Sequence, residues 1–328
     1  MSSPYAFSTE QLEAAAALVH RAMPPTPTFA WPLLASHAGT EIVVKHENHT
    51  PTGAFKIRGG VVYMDALAQR EPGVTGVITA TRGNHGQSIA RAAKGAGLGA
   101  TILVPFGNSA EKNTAMRGFG ARLIEHGRDF DEAKAEAAWL AEADGLHMVP
   151  SYHPDLVRGV ATYALELFRS AGDLDAVFVP IGMGSGISGL IAARDALGLE
   201  TEIIGVTADQ APAVALSFAA KALVPTNSAR TFADGMACRE PHPDAMDVIC
   251  RGAGDVVRVT EDEIAEAMRV IFETTHNVAE GAGAAAFAAL MKDRRRRPGA
   301  RLGVILSGGN VDRPVFAQVL AGQTPDAG

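Results

Sequence analysis

Between Glu41 and Leu306 the chain alternates short apolar runs with helix-patterned segments. Such alternation reads as parallel strands whose sheets are covered on both faces by helices, an α/β fold. The strand runs are Glu41–Lys45, Gly76–Thr79, Ala100–Val104, Arg122–Ile124, Ala176–Pro180, Glu202–Thr207, Asp255–Val259 and Arg301–Leu306. The spacing of apolar residues predicts helices from near Val61 through Ala68, then over Gly86–Ala96, Ser109–Gly118, Phe130–Ala143 and Asp155–Ser170. Further helices are expected over Ile187–Ala196, Glu261–Thr274 and Gly281–Met291. Ser8-Thr9-Glu10-Gln11 is a capped start for a helix to about Ala22, and residues 222–255 are less regular and rich in Pro, Asp and Gly. The 328 residues suit two domains of about 100–200 residues each. The expected division is a small unit over residues 51–150 and a large one from 1–50 and 151–328.

In open parallel sheets, ligands sit where strands run out into loops. Pro51-Thr52-Gly53-Ala54-Phe55-Lys56-Ile57-Arg58-Gly59-Gly60 places a lysine between apolar neighbours, which disfavours the ammonium and suits Schiff-base chemistry. A surface lysine is the plain alternative. Thr81-Arg82-Gly83-Asn84-His85-Gly86-Gln87 follows a strand and opens a helix, where free N–H groups bind a carboxylate or merely cap the helix. His85 has no carboxylate close in sequence and reads as a packing or capping residue. Gly182-Met183-Gly184-Ser185-Gly186-Ile187-Ser188-Gly189 exposes consecutive N–H groups to a phosphate. Residues 184–189 also satisfy the dinucleotide G-x-G-x-x-G pattern, with Asp209 about 20 residues on, so a nicotinamide dehydrogenase is a rival. Ser307-Gly308-Gly309-Asn310 offers a hydroxyl to a ring nitrogen or simply opens a turn. Gly235, in Thr231–Ala237, lets backbone approach a flat ring or forms a turn.

Composition narrows the partners. A net charge of −7 argues against nucleic acid and anionic membranes, and no apolar run reaches the length of a transmembrane helix. Arg294-Arg295-Arg296-Arg297 ends a helical pattern, where cations suit the helix dipole. Cys238 and Cys250 are too few and too separated for a zinc site or disulfide framework, so no metal is expected and a reducing cytoplasm is. Met1 to Phe7 lacks the pattern of a secretory signal.

The ordered set P-T-G-A-F-K-I-R-G-G, G-N-H-G-Q, G-M-G-S-G-I-S-G and S-G-G-N resembles the fold type II pyridoxal-phosphate enzymes, specifically the serine/threonine dehydratase and serine racemase family. The likeness runs from about Thr26 to Asp312. It implies a two-domain architecture like that of the tryptophan synthase β chain, and a homodimer. It implies pyridoxal 5'-phosphate in Schiff-base linkage to Lys56 beside Phe55, with its phosphate held by Gly182, Met183, Gly184, Ser185 and Gly186. Asn84 then contacts the ring hydroxyl, Ser307 the ring nitrogen, Gly235 and Glu280 lie near the ring, and Thr81, Arg82, Gly83, Asn84 and His85 hold the substrate carboxylate. The implied reaction is loss of water from an L-3-hydroxy amino acid, with Lys56 as base, giving a 2-oxo acid and ammonia.

Departures from the family pattern carry their own expectations. Arg82 stands where the racemases have a serine acid/base, and arginine does not deprotonate in a protein, so little racemisation is expected. Arg82 pairs either with a second substrate carboxylate, as in 3-hydroxyaspartate, or with a neighbouring acid. Threonine, serine and phenylserine remain in view. The family's cation-binding acids fall near Thr207 and Ala213, which removes that metal site. The chain stops at Gly328 without a regulatory domain, so isoleucine feedback is not expected. A non-catalytic small-molecule binder is the third reading.

Overall fold

A computed structural model describes residues 3–293 and 299–327; the arginine run at 294–297 lies outside the described residues. From the N-terminus come α1 (Thr9–Ala22), β1 (Thr28–Ala30), α2 (Pro32–Ala38) and β2 (Glu41–His46). Next are α3 (Lys56–Arg70), β3 (Gly76–Ala80), α4 (Asn84–Gly95), β4 (Gly99–Val104), α5 (Ala110–Gly118), β5 (Arg122–Glu125), α6 (Phe130–Asp144) and β6 (His147–Met148). Then follow α7 (Pro154–Ala171), β7 (Ala176–Pro180), α8 (Ser185–Leu197), β8 (Glu202–Ala208), α9 (Ala213–Ala220) and α10 (Pro243–Gly252). The last are β9 (Asp255–Val259), α11 (Glu261–Thr275), α12 (Gly281–Asp293), β10 (Arg301–Leu306) and α13 (Arg313–Leu320).

The strands form two sheets. One has the order β1-β2-β10-β7-β8-β9, and the other β5-β4-β3-β6. Every pairing is parallel except β1 with β2. Central strands such as β3 and β7 are buried along their whole length, as strands covered on both faces must be. Apolar residues of α12 and of β10, β7 and β8 share one core, and residues of α7 and α8 fill a second on the other side. A further core lies between α3, α4 and the four-stranded sheet.

The sequence patterns place most elements and miss several. The capping box at Ser8 is present, with Gln11 N–H donating to Ser8 Oγ at 3.2 Å and Ser8 N–H to Gln11 Oε1 at 2.9 Å. The helix expected from near Val61 begins at Lys56 itself. Gly59 and Gly60 sit inside it because a Cβ there would lie 2.7 Å from Leu156 O and 2.5 Å from Ser88 Oγ, so glycine lets α7 and α4 approach. Residues 222–255 are not irregular throughout: α10 starts at Pro243, in the first turn where proline is tolerated, and buries Ala245, Met246, Val248 and Ile249. Among the described residues no helix is long and apolar enough to cross a membrane.

Candidate active site

Lys56 opens α3, and its carbonyl accepts from Ser88 Oγ at 2.7 Å. The amine lies 4.7 Å from the centroid of the Phe55 ring and borders a cavity of about 320 Å³. Burial lowers the Lys56 pKa to about 8, against the opposing effect of the Glu280 carboxylate. An amine of that pKa is both nucleophile and base near neutrality.

Backbone bonds stitch the lysine loop to the end of β10. Phe55 N–H donates to Ser307 O at 3.1 Å, and Gly309 N–H to Gly53 O at 2.9 Å. Glu280 N–H donates to Gly308 O at 3.1 Å, which brings the residue before α12 to the same place. A Cβ on Gly308 would lie 2.3 Å from Glu280 Oε1, so a side chain there would push that carboxylate aside. Ser307 is buried, its hydroxyl donating weakly to Ala282 O at 3.4 Å.

The glycine loop after β7 is built for close approach. A Cβ on Gly182 would sit 2.2 Å from Gly235 O, and Gly184 has φ +99°. The helix bonds of α8 begin with Ser188 N–H to Gly184 O at 3.0 Å, so the N–H groups of Ser185, Gly186 and Ile187 lack a helical acceptor. Such a helix start attracts an anion. A Cβ built on Gly186 stands 3.6 Å from Phe55 Cζ, so the ring lies against this loop.

The loop before α4 supplies the opposite wall. Thr81 Oγ1 accepts from Gly83 N–H at 3.0 Å and Gly86 N–H at 3.2 Å, which commits Thr81 to holding the loop's shape. The N–H groups of Asn84 and His85 then remain at the helix start. Asn84 Nδ2 donates to Glu280 Oε1 at 2.6 Å. His85, read from the sequence as a packing or capping residue, also stands at the cavity. Its ring borders the cavity, its Nε2 is buried without a hydrogen-bond partner, and burial with the nearby Lys56 charge holds its pKa down at about 3. Arg82 is exposed at the cavity, and among the described residues no hydrogen bond or ion pair engages its guanidinium.

The structure therefore brings Lys56, Thr81 to His85, Gly182, Met183 and Gly235 into the wall of one cavity. Phe55, Gly184 to Gly186, Glu280 and Ser307 stand behind that wall through the contacts above. Sequence reasoning missed Lys112, Asp234 and Asn310, whose motif positions carry no signal of their own. It also missed the mouth, where Arg239 pairs with Asp131. Thr207 Oγ1 is buried and unpartnered in β8, and no group of three metal-ligating side chains occurs among the described residues.

A family pattern described as "Pyridoxal-phosphate dependent enzyme" matches residues 19–308. The chain belongs to that family. As a fold type II pyridoxal-phosphate enzyme it is 33% identical over 299 residues to the L-threo-3-hydroxyaspartate ammonia-lyase of Saccharomyces cerevisiae, covering 91% of each chain. It is 33% identical to the biosynthetic L-threonine dehydratase of Pasteurella multocida over 85% of its own length, and spans 55% of that protein. A crystal structure of a pyridoxal 5'-phosphate-dependent aspartate racemase superposes with a TM-score of 0.89 at 30% identity, covering 94% of this chain and 97% of that one. The family match sets aside the nicotinamide reading of residues 184–189. The residues present fit the cofactor: a deprotonatable amine and Gly182 border the cavity, and the start of α8 and the buried Ser307 hydroxyl at the end of β10 lie behind its wall.

Proposed function

We propose that the protein is a pyridoxal-phosphate-dependent ammonia-lyase acting on an L-3-hydroxy amino acid with an acidic side chain, of the 3-hydroxyaspartate class. The observation that carries this reading is an unpaired arginine, Arg82, in the same cavity as the low-pKa amine of Lys56. A guanidinium with no protein partner is a ready site for a second substrate carboxylate, which it binds through two parallel N–H bonds. The similarity to a hydroxyaspartate ammonia-lyase over nine-tenths of both chains supports the reading.

The parts are assigned as follows. Residues 182–186 and the start of α8 hold the cofactor phosphate. Ser307 offers its hydroxyl to the ring nitrogen and, being a poor acid, leaves that nitrogen unprotonated. The second N–H of Asn84 Nδ2, not used by Glu280, is free for the ring oxygen. The N–H groups of Asn84 and His85 hold the α-carboxylate. When bound, pyridoxal phosphate supplies the electron sink that makes the Cα–H bond acidic. The Lys56 amine takes the Cα proton, for which it must be neutral. The 3-hydroxyl then takes up a proton and leaves as water, and hydrolysis of the enamine product consumes one water to give a 2-oxo acid and ammonia. Residues 51–150 form the unit that presents Lys56 and the carboxylate loop, and 1–50 with 151–328 the unit that binds the cofactor. A cytoplasmic homodimer completes the proposal, supported by free Cys238 and Cys250 and by exposed Phe29 and Leu33 near the β1 sheet edge.

Release of 2-oxo acid is measured across 3-hydroxyaspartate, threonine, serine and phenylserine. Highest kcat/KM on 3-hydroxyaspartate is expected, and a preference for threonine overturns the assignment of Arg82.

A further inference from the structure

A buried cation beside this site has no part in the chemistry assigned above. Lys112, on α5, is 6% exposed, with its ammonium 2.7 Å from Asp234 Oδ2 and 3.5 Å from Glu280 Oε2. Its stem passes against the carboxylate loop: a Cβ on Gly83 would stand 2.5 Å from Lys112 Cδ. The two carboxylates flank segments of the six-stranded sheet, whereas Lys112 and Asn84 lie on helices of the four-stranded one. The cluster therefore links elements of the two sheets beside the cavity, which Asn84 and Asp234 border.

Glu280 is the pivot. Its Oε2 faces Lys112 and its Oε1 accepts from Asn84, while Asn84 Oδ1 accepts from Asn310 Nδ2 at 2.8 Å. The charged groups around Glu280 are Lys112 from α5, Asp234 from the turn at Asp234–Met236, and Lys56 from α3; His85 from α4 stands beside Lys56 as a neutral ring. Burial pushes the Glu280 carboxyl above its ordinary pKa, Asp234 adds to that push, and Lys112 and the Asn84 amide counter it only in part. Burial also works against the Lys112 charge, but Asp234 and Glu280 outweigh it and hold the ammonium protonated.

An ionised Glu280 has no proton to donate, so the Asn84 amide must turn its Nδ2 toward it and keep its second N–H for the cavity. A protonated Glu280 could donate instead, and the amide would lose that fixed sense. The same ionised carboxylate is the group that opposes the fall in Lys56 basicity.

We propose that Lys112 is a positioning residue: held between Asp234 and Glu280, it favours the carboxylate form of Glu280 against its burial, and through Glu280 it orients the Asn84 amide and places a negative charge beside Lys56. The proposal rests on the roles given to Lys56 and Asn84 above.

The test begins with apo-protein. The pH dependence of the rate of pyridoxal phosphate uptake and the cofactor Kd are measured for the native chain, Lys112→Gln, Lys112→Arg, Glu280→Gln and the Lys112→Gln/Glu280→Gln pair. Lys112→Gln is expected to shift the midpoint to lower pH and weaken the cofactor Kd by about tenfold, the effect of about 1.4 kcal/mol. Glu280→Gln should do the same, the pair should add nothing, and Lys112→Arg should restore the native midpoint. An unmoved midpoint in Lys112→Gln, or additive losses in the pair, overturns the proposal. Should Lys112→Gln not fold, Asp234→Asn decides. The native midpoint is expected there because the ammonium still faces Glu280, and a shift equal to that of Glu280→Gln counts against it. Retention of the visible cofactor band in Lys56→Ala is a separate result, which overturns the functional reading itself.

Discussion

Arg58 donates to both oxygens of Glu47, Nε to Oε2 at 2.7 Å and Nη2 to Oε1 at 2.9 Å, and neither side chain reaches solvent. Arg58 Nη1 and Nη2 also donate to Glu166 at 2.7 and 2.8 Å, and Lys45 Nζ donates to the same carboxylate at 2.6 Å. This network anchors the first turn of α3, two residues after Lys56, to the segment leaving β2 and to α7. Removing one partner leaves a buried charge uncompensated, which costs about 3–5 kcal/mol. Arg58→Met is therefore expected to lower the unfolding free energy by about that amount in denaturant titration. Arg58→Met with Glu47→Gln should lose less, because the stranded carboxylate is gone. The network also fixes an acid limit. Burial works against the Glu166 charge, but Arg58 and Lys45 outweigh it and hold its pKa at about 2. Its folded-state value is depressed, so its contribution is complete above the unfolded-state value of about 4.3 and disappears as pH falls toward about 2.

That network also shows where reading the sequence stops. Lys56 and the glycine loop at 182–186 were legible because each places unusual residue types at a strand end, where parallel sheets put their ligands. Glu47, Arg58 and Glu166 are scattered over 120 positions of chain as ordinary charged residues, and only the folded packing makes them a cluster. Lys112 is the same case, a helix lysine whose burial depends on Asp234 and Glu280 from distant segments. His85 is legible only in part: its burial agrees with a packing role, while its place at the cavity depends on the fold. Helix α10 was hidden by composition, since its one buried face is only ten residues long and sits among Pro, Asp and Gly.

The Lys56 amine sets a pH limit on loading the cofactor. Only the neutral amine attacks the aldehyde, and the folded-state value of about 8 lies below the ordinary lysine value of about 10.4. Uptake of pyridoxal phosphate by apo-protein should thus quicken with pH up to about 8 and level off above it. Stopped-flow absorbance across pH 6 to 10 reads this directly. A rate still climbing steeply at pH 10 would show an ordinary, solvated lysine.

Gly182 has no room for a side chain. A methyl group there meets the carbonyl of Gly235 at 2.2 Å, a backbone atom that cannot swing aside as a side chain would. Overpacking of this kind costs about 1–3 kcal/mol, and here it distorts the loop assigned to the phosphate. Gly182→Ala is expected to weaken pyridoxal phosphate by about tenfold to a hundredfold, read from the saturation of the visible band against cofactor concentration. Gly95→Ala, at a helical glycine with open space around it, is the control and should bind as the native chain does.

Arg82 separates two questions, which substrate is taken and which product leaves. Its guanidinium lies in the cavity without a protein partner, so replacing it costs the fold little and costs an acidic substrate its counter-charge. A hydrogen bond to a charged group is worth about 1.5–3 kcal/mol, so Arg82→Ser should lower kcat/KM on 3-hydroxyaspartate by roughly tenfold to a hundredfold. Threonine, which has no second carboxylate, should be used as well as before or better. Racemisation behaves differently. Reprotonation of Cα on the face opposite Lys56 needs an acid, and an arginine that stays charged does not serve as one in ordinary turnover. The native enzyme should therefore convert L-serine to D-serine at a negligible rate beside elimination. Arg82→Ser restores a hydroxyl at that position and is expected to raise the ratio of racemisation to elimination. Chiral chromatography of the recovered amino acid, run alongside 2-oxo acid release, measures both. Substantial D-serine from the native chain with no change in Arg82→Ser would assign the second proton donor to another residue at the cavity wall, with the unpartnered His85 ring the first to replace.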